Sequence, residues 1–510
     1  MTLDRIIDRH AAFQPAQPAL ADERLSLTYG ELAGRIDRMA GGLSGLGVTA
    51  GKRVAHLGYN AADIVVLLFA CARLGAILVP LNWRLATPEL VYALQDCGAD
   101  LLIHDAAFGD TAAAICTEAG LQHRLVLDGA AGTAMALETM LAGAPALPAS
   151  GNTEDGLEQP LLIVYTSGTT GRPKGAVLTQ AALLANAQMS RHAFDLRSTD
   201  HVLTCLPMFH VGGLNIQTTP ALLSGARVTL QSRFHPGRFI EAVERLRPDL
   251  SVLVPATIRA LLDDPAYMGA DLTALRAVGV GSSVVPPQLI AALEARGIPV
   301  LQIYGATETC PLAVYETMAM RGACPGTTGR PGLLCDIRIV DNTGVDVAPG
   351  IAGEIWVKGP QVLSQYWNAP DATAAALVDG WFRTGDIAMR DADWNVVVHD
   401  RKKNVIISGG ENIYPAELER VLEEDNRIRE AAVVARRDPR WDEIPVAVVV
   451  LAEGAVLQRE DVLALFDGVV ARYKLPRDVV FVSSLPRNAM GKVQHHILRE
   501  LVAADRQSAA

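Results

Sequence analysis

The sequence lacks any apolar run long enough to cross a bilayer, any CxxC cysteine pair and any repeat of fixed period. Its longest apolar stretch, Ile64 to Ala72, stops at Asp63 on one side and Arg73 on the other, well short of the roughly 20 residues that a membrane helix needs. The apolar half of the composition therefore belongs to buried core, and no stable membrane insertion is expected. Seven cysteines stand singly, without a CxxC pair or a neighbouring His at ligand spacing. That excludes a signalled disulfide framework or zinc site and leaves them as small buried residues. A net charge of -11 excludes nucleic acid as the main partner, because phosphate backbones call for clustered Lys and Arg. Any anionic ligand needs a local site. Asp4, Arg5, Asp8 and Arg9 occupy the place of a secretory leader's apolar run, and the last residues carry no address, so a cytoplasmic location is expected.

What is present organises into several units. A chain of 510 residues, half apolar and a fifth charged, can bury more than one core and should divide at least once. Strand-length apolar segments alternate with longer amphipathic ones, an α/β texture. Leu161 to Val164 and Ala176 to Leu178 read as strands, Asp63 to Arg73 as a buried helix, and Ile77 to Val79 as a strand ended by Pro80. From Gly322 onward, glycines punctuate short β runs such as Asp336 to Val340 and Gly353 to Val357, which predicts an antiparallel subdomain. The polar segment Asp400-Arg401-Lys402-Lys403-Asn404 reads as a linker. After it, Pro415 opens a helix, Ala431 to Ala435 and Pro445 to Leu451 read as strands, and Asp461 to Ala471 as another helix. The expectation is a large N-terminal α/β domain of several subdomains over 1–399, a hinge at 400–404, and a small mobile α+β domain over 405–510.

The chemistry starts at Tyr165-Thr166-Ser167-Gly168-Thr169-Thr170-Gly171-Arg172-Pro173-Lys174-Gly175. Hydroxyls, early glycines and Lys174 offer a loop whose backbone N–H groups can approach phosphate oxygens, so polyphosphate is the expected ligand. It is not a Walker loop, since Gly175 follows Lys174 where Ser or Thr should stand, and strand-like runs flank it on both sides.

This loop resembles the signature of the adenylate-forming superfamily of acyl- and aryl-CoA ligases, luciferases and adenylation domains. The resemblance extends in order through Leu206-Pro207-Met208-Phe209-His210-Val211-Gly212-Gly213, Tyr304-Gly305-Ala306-Thr307-Glu308-Thr309 and Gly380-Trp381-Phe382-Arg383-Thr384-Gly385-Asp386. Asp400 to Glu419 and Pro486 to Lys492 complete it, so nearly the whole chain is covered. It implies ATP, Mg2+ and coenzyme A as reaction partners. Thr166, Ser167, Gly168, Thr169, Thr170, Gly171 and Lys174 would hold phosphates; Tyr304 and Gly305 the adenine; Thr307 the α-phosphate; Glu308 the metal; Asp386 and Arg401 the ribose. Lys492 matches the mobile catalytic lysine, Lys403 the hinge, and Gly409, Gly410 and Glu411 the pantetheine tunnel. Asn404 departs from the acidic residue common at its position, and His495 and His496 from the basic ones after the lysine. His210 is read either as a gate between acid and thiol sites or as a structural His, and Lys402 with Lys403 equally as a solvated charge pair.

By the same resemblance Gly212, Gly213, Leu214, Gly279, Gly281 and Ala313 line the acid pocket. These residues are small or apolar, which favours a medium-chain fatty acid or an aryl acid such as a hydroxycinnamate. Arg259 keeps a small dicarboxylate open. The reaction class expected is an AMP-forming acid–thiol ligase; a stand-alone enzyme loading a carrier protein is the alternative, with free CoA favoured because the chain ends about one helix after Lys492. The expected partners are the acid and CoA, with a homodimer left open.

Overall fold

The computed structural model describes the whole chain except residues 128–134, 149–153, 167–172, 282–284, 409–410, 440, 468, 471, 489–491 and 509–510, and except the side chains of 154–155, 411–412, 473 and 505–508. By internal packing the chain forms two compact units. One comprises Met1–Ser282, Leu293–Ile337 and Val357–Arg383, the other Ser283–Ala292, Arg338–Trp356 and Thr384–Ala510.

The first unit carries two large mixed sheets. One runs edge to edge through Gln365–Tyr366, Lys174–Thr179, Pro160–Thr166, Ile77–Leu81, Arg53–Leu57, Leu101–His104, Arg124–Val126 and Met135–Ala136. Ile77–Leu81 and Leu101–His104 pair in parallel with Arg53–Leu57 between them and are buried along their whole length, which is why they read as mostly apolar runs and not as alternating ones. The hairpin Pro160–Thr166 with Lys174–Thr179 is antiparallel, as its flanking strand pattern predicts. Pro80 does not end its strand, which continues to Leu81 with Pro80 opposite His56. Pairing with the strand on the other side is registered at Leu78 and not at Pro80, so the missing N–H falls where no ladder partner calls for it.

The second sheet orders Arg330–Pro331, Val314–Tyr315, Val300–Tyr304, Ala277–Val280, Leu250–Leu253, His201–Thr204, Arg227–Leu230, Pro18–Ala21 and Ser26–Thr28. Its parallel strands end in the loops that bear the Leu206, Gly281 and Tyr304 motifs, the usual place for a ligand in an open α/β sheet.

The helix Ala62–Leu74 is buried at every position from Ala62 to Ala72, which explains an apolar sequence without a polar face. Arg73 at its C-terminal end gathers three carboxylates: Asp4 at 3.1 Å and Asp8 at 2.8 Å from the helix Leu3–Phe13, and Asp37 from the helix Tyr29–Gly45. Asp4, Asp8 and Asp37 thus pin three helices together through Arg73. Burial pushes the Asp8 carboxyl up, and the guanidinium pulls against it.

In the second unit, residues 338–340, 353–356, 384–390 and 396–401 belong to an antiparallel sheet that matches the predicted glycine-punctuated subdomain. A further sheet is built on Ile428–Asp438 paired with Asp442–Leu451. Alternation along the first of these strands sends Ala431, Val433 and Ala435 toward Leu418, Leu422 and Phe466, and Ala432 and Val434 toward Leu498 and Val502. Helices Pro415–Glu423 and His495–Ser508 therefore supply opposite covers of one sheet. The helix predicted over Asp461 to Ala471 spans Arg459–Ala464 instead, stopping before Asp467-Gly468, where helix propensity is poor. Six of the seven cysteines are buried, and no helix among the described residues is long and apolar enough to cross a membrane.

The Arg73 cluster generates a prediction. The side chains of Arg73 and Asp4 are each 2% exposed, so Arg73→Met strands a buried carboxylate and should lower stability by about 3–5 kcal/mol. Urea unfolding followed by tryptophan fluorescence measures it. A loss under about 1 kcal/mol, the ordinary value of a surface pair, would show that the cluster does not organise these helices.

Candidate active site

Strand geometry places the phosphate loop first. Thr166 sits opposite Lys174 and Tyr165 opposite Gly175 at the end of the hairpin, with the Thr166 hydroxyl 3.4 Å from the Lys174 carbonyl. Ser167, Gly168, Thr169, Thr170 and Gly171 lie outside the described residues. The short strand Gln365–Tyr366 adds to the hairpin's outer edge, and Trp367 N–H donates to the Gly175 carbonyl at 2.7 Å. This strand also reaches the Glu308 turn. Tyr366 donates its hydroxyl to Glu308 Oε1 at 2.8 Å, Leu363 N–H donates to the Glu308 carbonyl at 2.8 Å, and the Lys174 ammonium lies 5.5 Å from the centre of the Tyr366 ring. Behind the hairpin, Tyr165 donates to Asp96 at 2.6 Å, and burial raises its phenol far above the usual range.

Tyr304 ends a central strand, and the chain then doubles back so tightly that a Cβ on Gly305 would lie 1.4 Å from the Pro311 carbonyl oxygen. The 3-10 turn Thr307–Thr309 follows, fixed by Ala306 N–H donating to Thr309 Oγ1 at 2.9 Å and by Thr309 donating to the Pro311 carbonyl at 2.9 Å. Thr307 is buried and Glu308 half-buried. Ala313 N–H returns to the Tyr304 carbonyl at 3.0 Å. Thr166, Lys174, Tyr304, Gly305, Thr307 and Glu308 therefore occupy strand ends and turns of the first unit, with Lys174 and Glu308 joined through Tyr366.

On the acid side, His210 precedes a single helical turn, and its Nδ1 accepts the Gly212 N–H at 3.0 Å. That bond fixes the neutral ring with its proton on Nε2, a donor. A Cβ on Gly213 would approach the Leu206 and Pro207 carbonyl oxygens to 2.4 Å, so this glycine is demanded by chain packing. Leu214–Thr218 then forms a π-helical turn, a rare geometry frequent at functional sites. Asn186 braces it by donating to the Asn215 carbonyl at 2.6 Å and accepting Leu312 N–H at 3.2 Å. Leu214, Gly279, Gly281 and Ala313 are buried and Gly212 is half-buried.

The second unit carries the remaining candidates. Asp386 lies opposite Arg401 across an antiparallel pair, with Arg401 Nε 2.7 Å from Oδ1, so the two predicted ribose contacts are partners of each other. Glu354, which sequence reasoning does not single out, accepts Gly385 N–H at 3.2 Å and Lys402 Nζ at 3.0 Å. Lys402 is thus an exposed side chain with an ion-pair partner. Lys403 and Asn404 complete a 3-10 turn. Burial and the Arg401 and Arg499 guanidinium groups lower the Lys403 ammonium pKa. The departure at Asn404 has a cause here: its amide donates to Asp400 at 3.0 Å, a carboxyl that burial raises and beside which a second acid would repel. Lys492 stands in a turn closed by Asn488, whose N–H donates to the Lys492 carbonyl at 2.9 Å and whose side chain accepts Lys492 N–H at 3.0 Å. Gly409 and Gly410, and the side chain of Glu411, lie outside the description.

Among the described residues, no group of three or more His, Cys, Asp or Glu gathers as a metal site. A lone half-buried carboxylate suits magnesium, which is commonly held by one or two carboxylates together with substrate phosphates. Tyr366 occupies only Oε1 of Glu308, so the residues fit such an ion.

Comparison with known proteins places this arrangement. Residues 7–367 match the family described as AMP-binding enzyme, and residues 417–492 match the AMP-binding enzyme C-terminal domain. The chain is 46% identical over 504 residues to the indoleacetate–CoA ligase of Aromatoleum aromaticum, covering 99% of this chain and 98% of that one. It is 40% identical over 485 residues to a feruloyl-CoA synthase of Amycolatopsis, covering 95% and 96%. The solved o-succinylbenzoate CoA synthetase of Bacillus subtilis, in complex with its acyl-adenylate intermediate, superposes with a TM-score of 0.85 at 30% identity and 97% coverage of both chains. Ordered motifs, a shared fold and identity sustained over nearly the full length agree: the chain belongs to the AMP-binding, adenylate-forming enzyme family.

Proposed function

We propose that the protein is an ATP-dependent acid–CoA ligase acting in the cytoplasm on an aryl acid of the indoleacetate or hydroxycinnamate kind. The observation that carries the substrate class is the wall after His210. Residues 211–218 read Val-Gly-Gly-Leu-Asn-Ile-Gln-Thr, apolar with amides and with no cation to pair a second carboxylate. Two relatives that match almost end to end are named for aryl acids, which supports the same choice over a fatty acid.

In the first step a carboxylate oxygen bonds to the α-phosphorus of ATP and pyrophosphate leaves. In the second the CoA sulfur bonds to the acyl carbon, AMP leaves and the thiol proton is released. Both steps need positioning and charge neutralisation more than covalent help from the protein. Lys174 and the loop from Thr166 to Gly171 bind the phosphates, Thr307 the α-phosphate, and Tyr304 and Gly305 the adenine. Asp386, aimed by Arg401, takes the ribose. Glu308 holds Mg2+, which neutralises phosphate charge when bound. His210, a donor at Nε2, orients the acid. Lys492 stabilises the charge that builds at the α-phosphorus, and the turn at Lys403 exchanges it for the Gly409-Gly410-Glu411 loop, which admits CoA.

A pyrophosphate-release screen over acids of differing length and aromaticity, with and without CoA and with the thioester detected by mass, tests the proposal. Aryl acids should give release and a CoA thioester; no release with any acid would end the enzyme reading.

Two substitutions resolve roles within it. Lys492→Ala should slow adenylation roughly a hundred- to thousand-fold while largely sparing thioester formation from supplied acyl-AMP; equal loss in both half-reactions would remove Lys492 from the first step. Glu308→Gln should lower the adenylation rate by about a hundred-fold or more, whereas Tyr366→Phe, which deletes one hydrogen bond to it, should cost only a few-fold. Titrating Mg2+ in both variants checks the order, and a Tyr366→Phe loss as deep as that of Glu308→Gln would contradict it.

A further inference from the structure

Resting on the aryl-acid reading, we infer that Gln217 is a specificity-determining residue that reads a hydrogen-bonding group at the far end of the acid. Gln217 lies in the π-helical turn that follows Gly213 and is 3% exposed, yet neither its amide nitrogen nor its amide oxygen has a hydrogen-bond partner. A buried primary amide has up to four hydrogen-bonding sites to fill, and leaving them empty is destabilising. The amide lines a small cavity with Thr204, Cys205, Leu206, Gly212, Gly213 and Val252 among its walls. Two of these, Gly212 and Gly213, are acid-pocket candidates from the sequence.

The neighbouring polar groups do not use the amide. Thr218 donates its single hydroxyl proton to the Gly213 carbonyl at 2.6 Å, so it must accept from Thr204 at 2.7 Å, and Cys205 Sγ points to the Val252 carbonyl at 3.7 Å. Each hydroxyl is satisfied without Gln217. The cavity measures about 10 Å³, room for one water-sized group and far short of the roughly 300 Å³ at which pockets enclosing a whole ligand begin. It admits one small polar tip, such as a ring O–H or N–H, while the rest of the wall receives the ring. The amide can serve either kind, accepting from O–H or N–H through its oxygen and donating to an ether or hydroxyl oxygen through its nitrogen. A site built to hydrogen-bond such a group discriminates against the analogue lacking it more strongly than an apolar wall does.

The test compares paired acids in the full-length enzyme: 4-hydroxycinnamate against cinnamate, and indoleacetate against its N-methyl analogue. The wild type should prefer the hydrogen-bonding member of at least one pair by roughly ten-fold in kcat/KM. Gln217→Met, similar in length and without donor or acceptor, should erase that preference, mainly by raising KM for the hydrogen-bonding member. Its thermal midpoint should hold or rise, since an unsatisfied buried amide is removed. Equal loss on both members of each pair, or a fallen midpoint with no change in preference, would make Gln217 a structural or water-holding residue and overturn the inference. If the wild type activates no aryl acid at all, it is the underlying substrate reading that fails.

Discussion

Tyr366 uses both of its chemical faces at once, its hydroxyl donating to the Glu308 carboxylate and its ring facing the Lys174 ammonium. The first unit's nucleotide candidates depend on that side chain for their spacing. A protein of net charge -11 that takes a triphosphate must concentrate cationic character locally, and Lys174 and the metal proposed at Glu308 are its means. If Lys174 paired directly with Glu308, each would neutralise the other. The aromatic ring offers the ammonium a weaker and softer partner that phosphate can displace. The hydroxyl meanwhile holds one carboxylate oxygen and leaves the other for a cation. The hairpin edge is the scaffold for this, because strand Gln365–Tyr366 can reach Glu308 only by pairing with Lys174–Thr179.

The same economy of pairing recurs in the second unit. Asp386, Glu354 and Asp400 are carboxylates drawn out of water within a short stretch of sheet, and each has a distinct partner: Arg401, Lys402 and Asn404. Buried acids without such partners would repel one another and drive protonation. The proposed pivot at Lys403 thus stands at the end of a strand whose charges are already matched. Burial and the Arg401 and Arg499 guanidinium groups lower its own ammonium pKa, with Asp386 pulling the other way.

Much of this was legible in the sequence, and the parts that were not share a cause. The hairpin around the phosphate loop, the buried helix at Asp63 to Arg73 and the alternating strand Ala431 to Ala435 are local patterns, so periodicity and punctuation reported them. Pro80 misled because a proline's effect on a strand depends on whether a neighbouring strand wants its N–H, which is a property of the sheet. The helix after Asp461 was overextended because Phe466, Val469 and Val470 continue an apolar spacing beyond the point where the backbone turns. Tyr366 went unread although Tyr366-Trp367 is an aromatic pair in a chain only 5% aromatic, a signal that composition could have raised. Glu354 went unread because it lies in a β run far in sequence from Lys402, and nothing local distinguishes it from a solvated carboxylate. Partners brought together by tertiary pairing leave no periodic trace.

Gln217 shows the converse, where a violated rule is itself the signal. Nearby, Asn186 is a buried amide whose nitrogen donates to the Asn215 carbonyl and whose oxygen accepts Leu312 N–H, so each of its polar atoms has a partner inside the fold. Thr204 and Thr218 are satisfied as well, by each other and by Gly213. In the same turn Asn215 Oδ1 is also buried without a partner, so the unfilled polar atoms gather on one stretch of this wall. Leucine or methionine in place of Gln217 would fill the space without stranding polar atoms, and stability alone gives no reason to prefer glutamine. Places where a sequence breaks a local rule without compensation inside the protein are those where the compensation arrives from outside. On the proposed reading, the group that completes the hydrogen bonds of Gln217 is carried in by the acid.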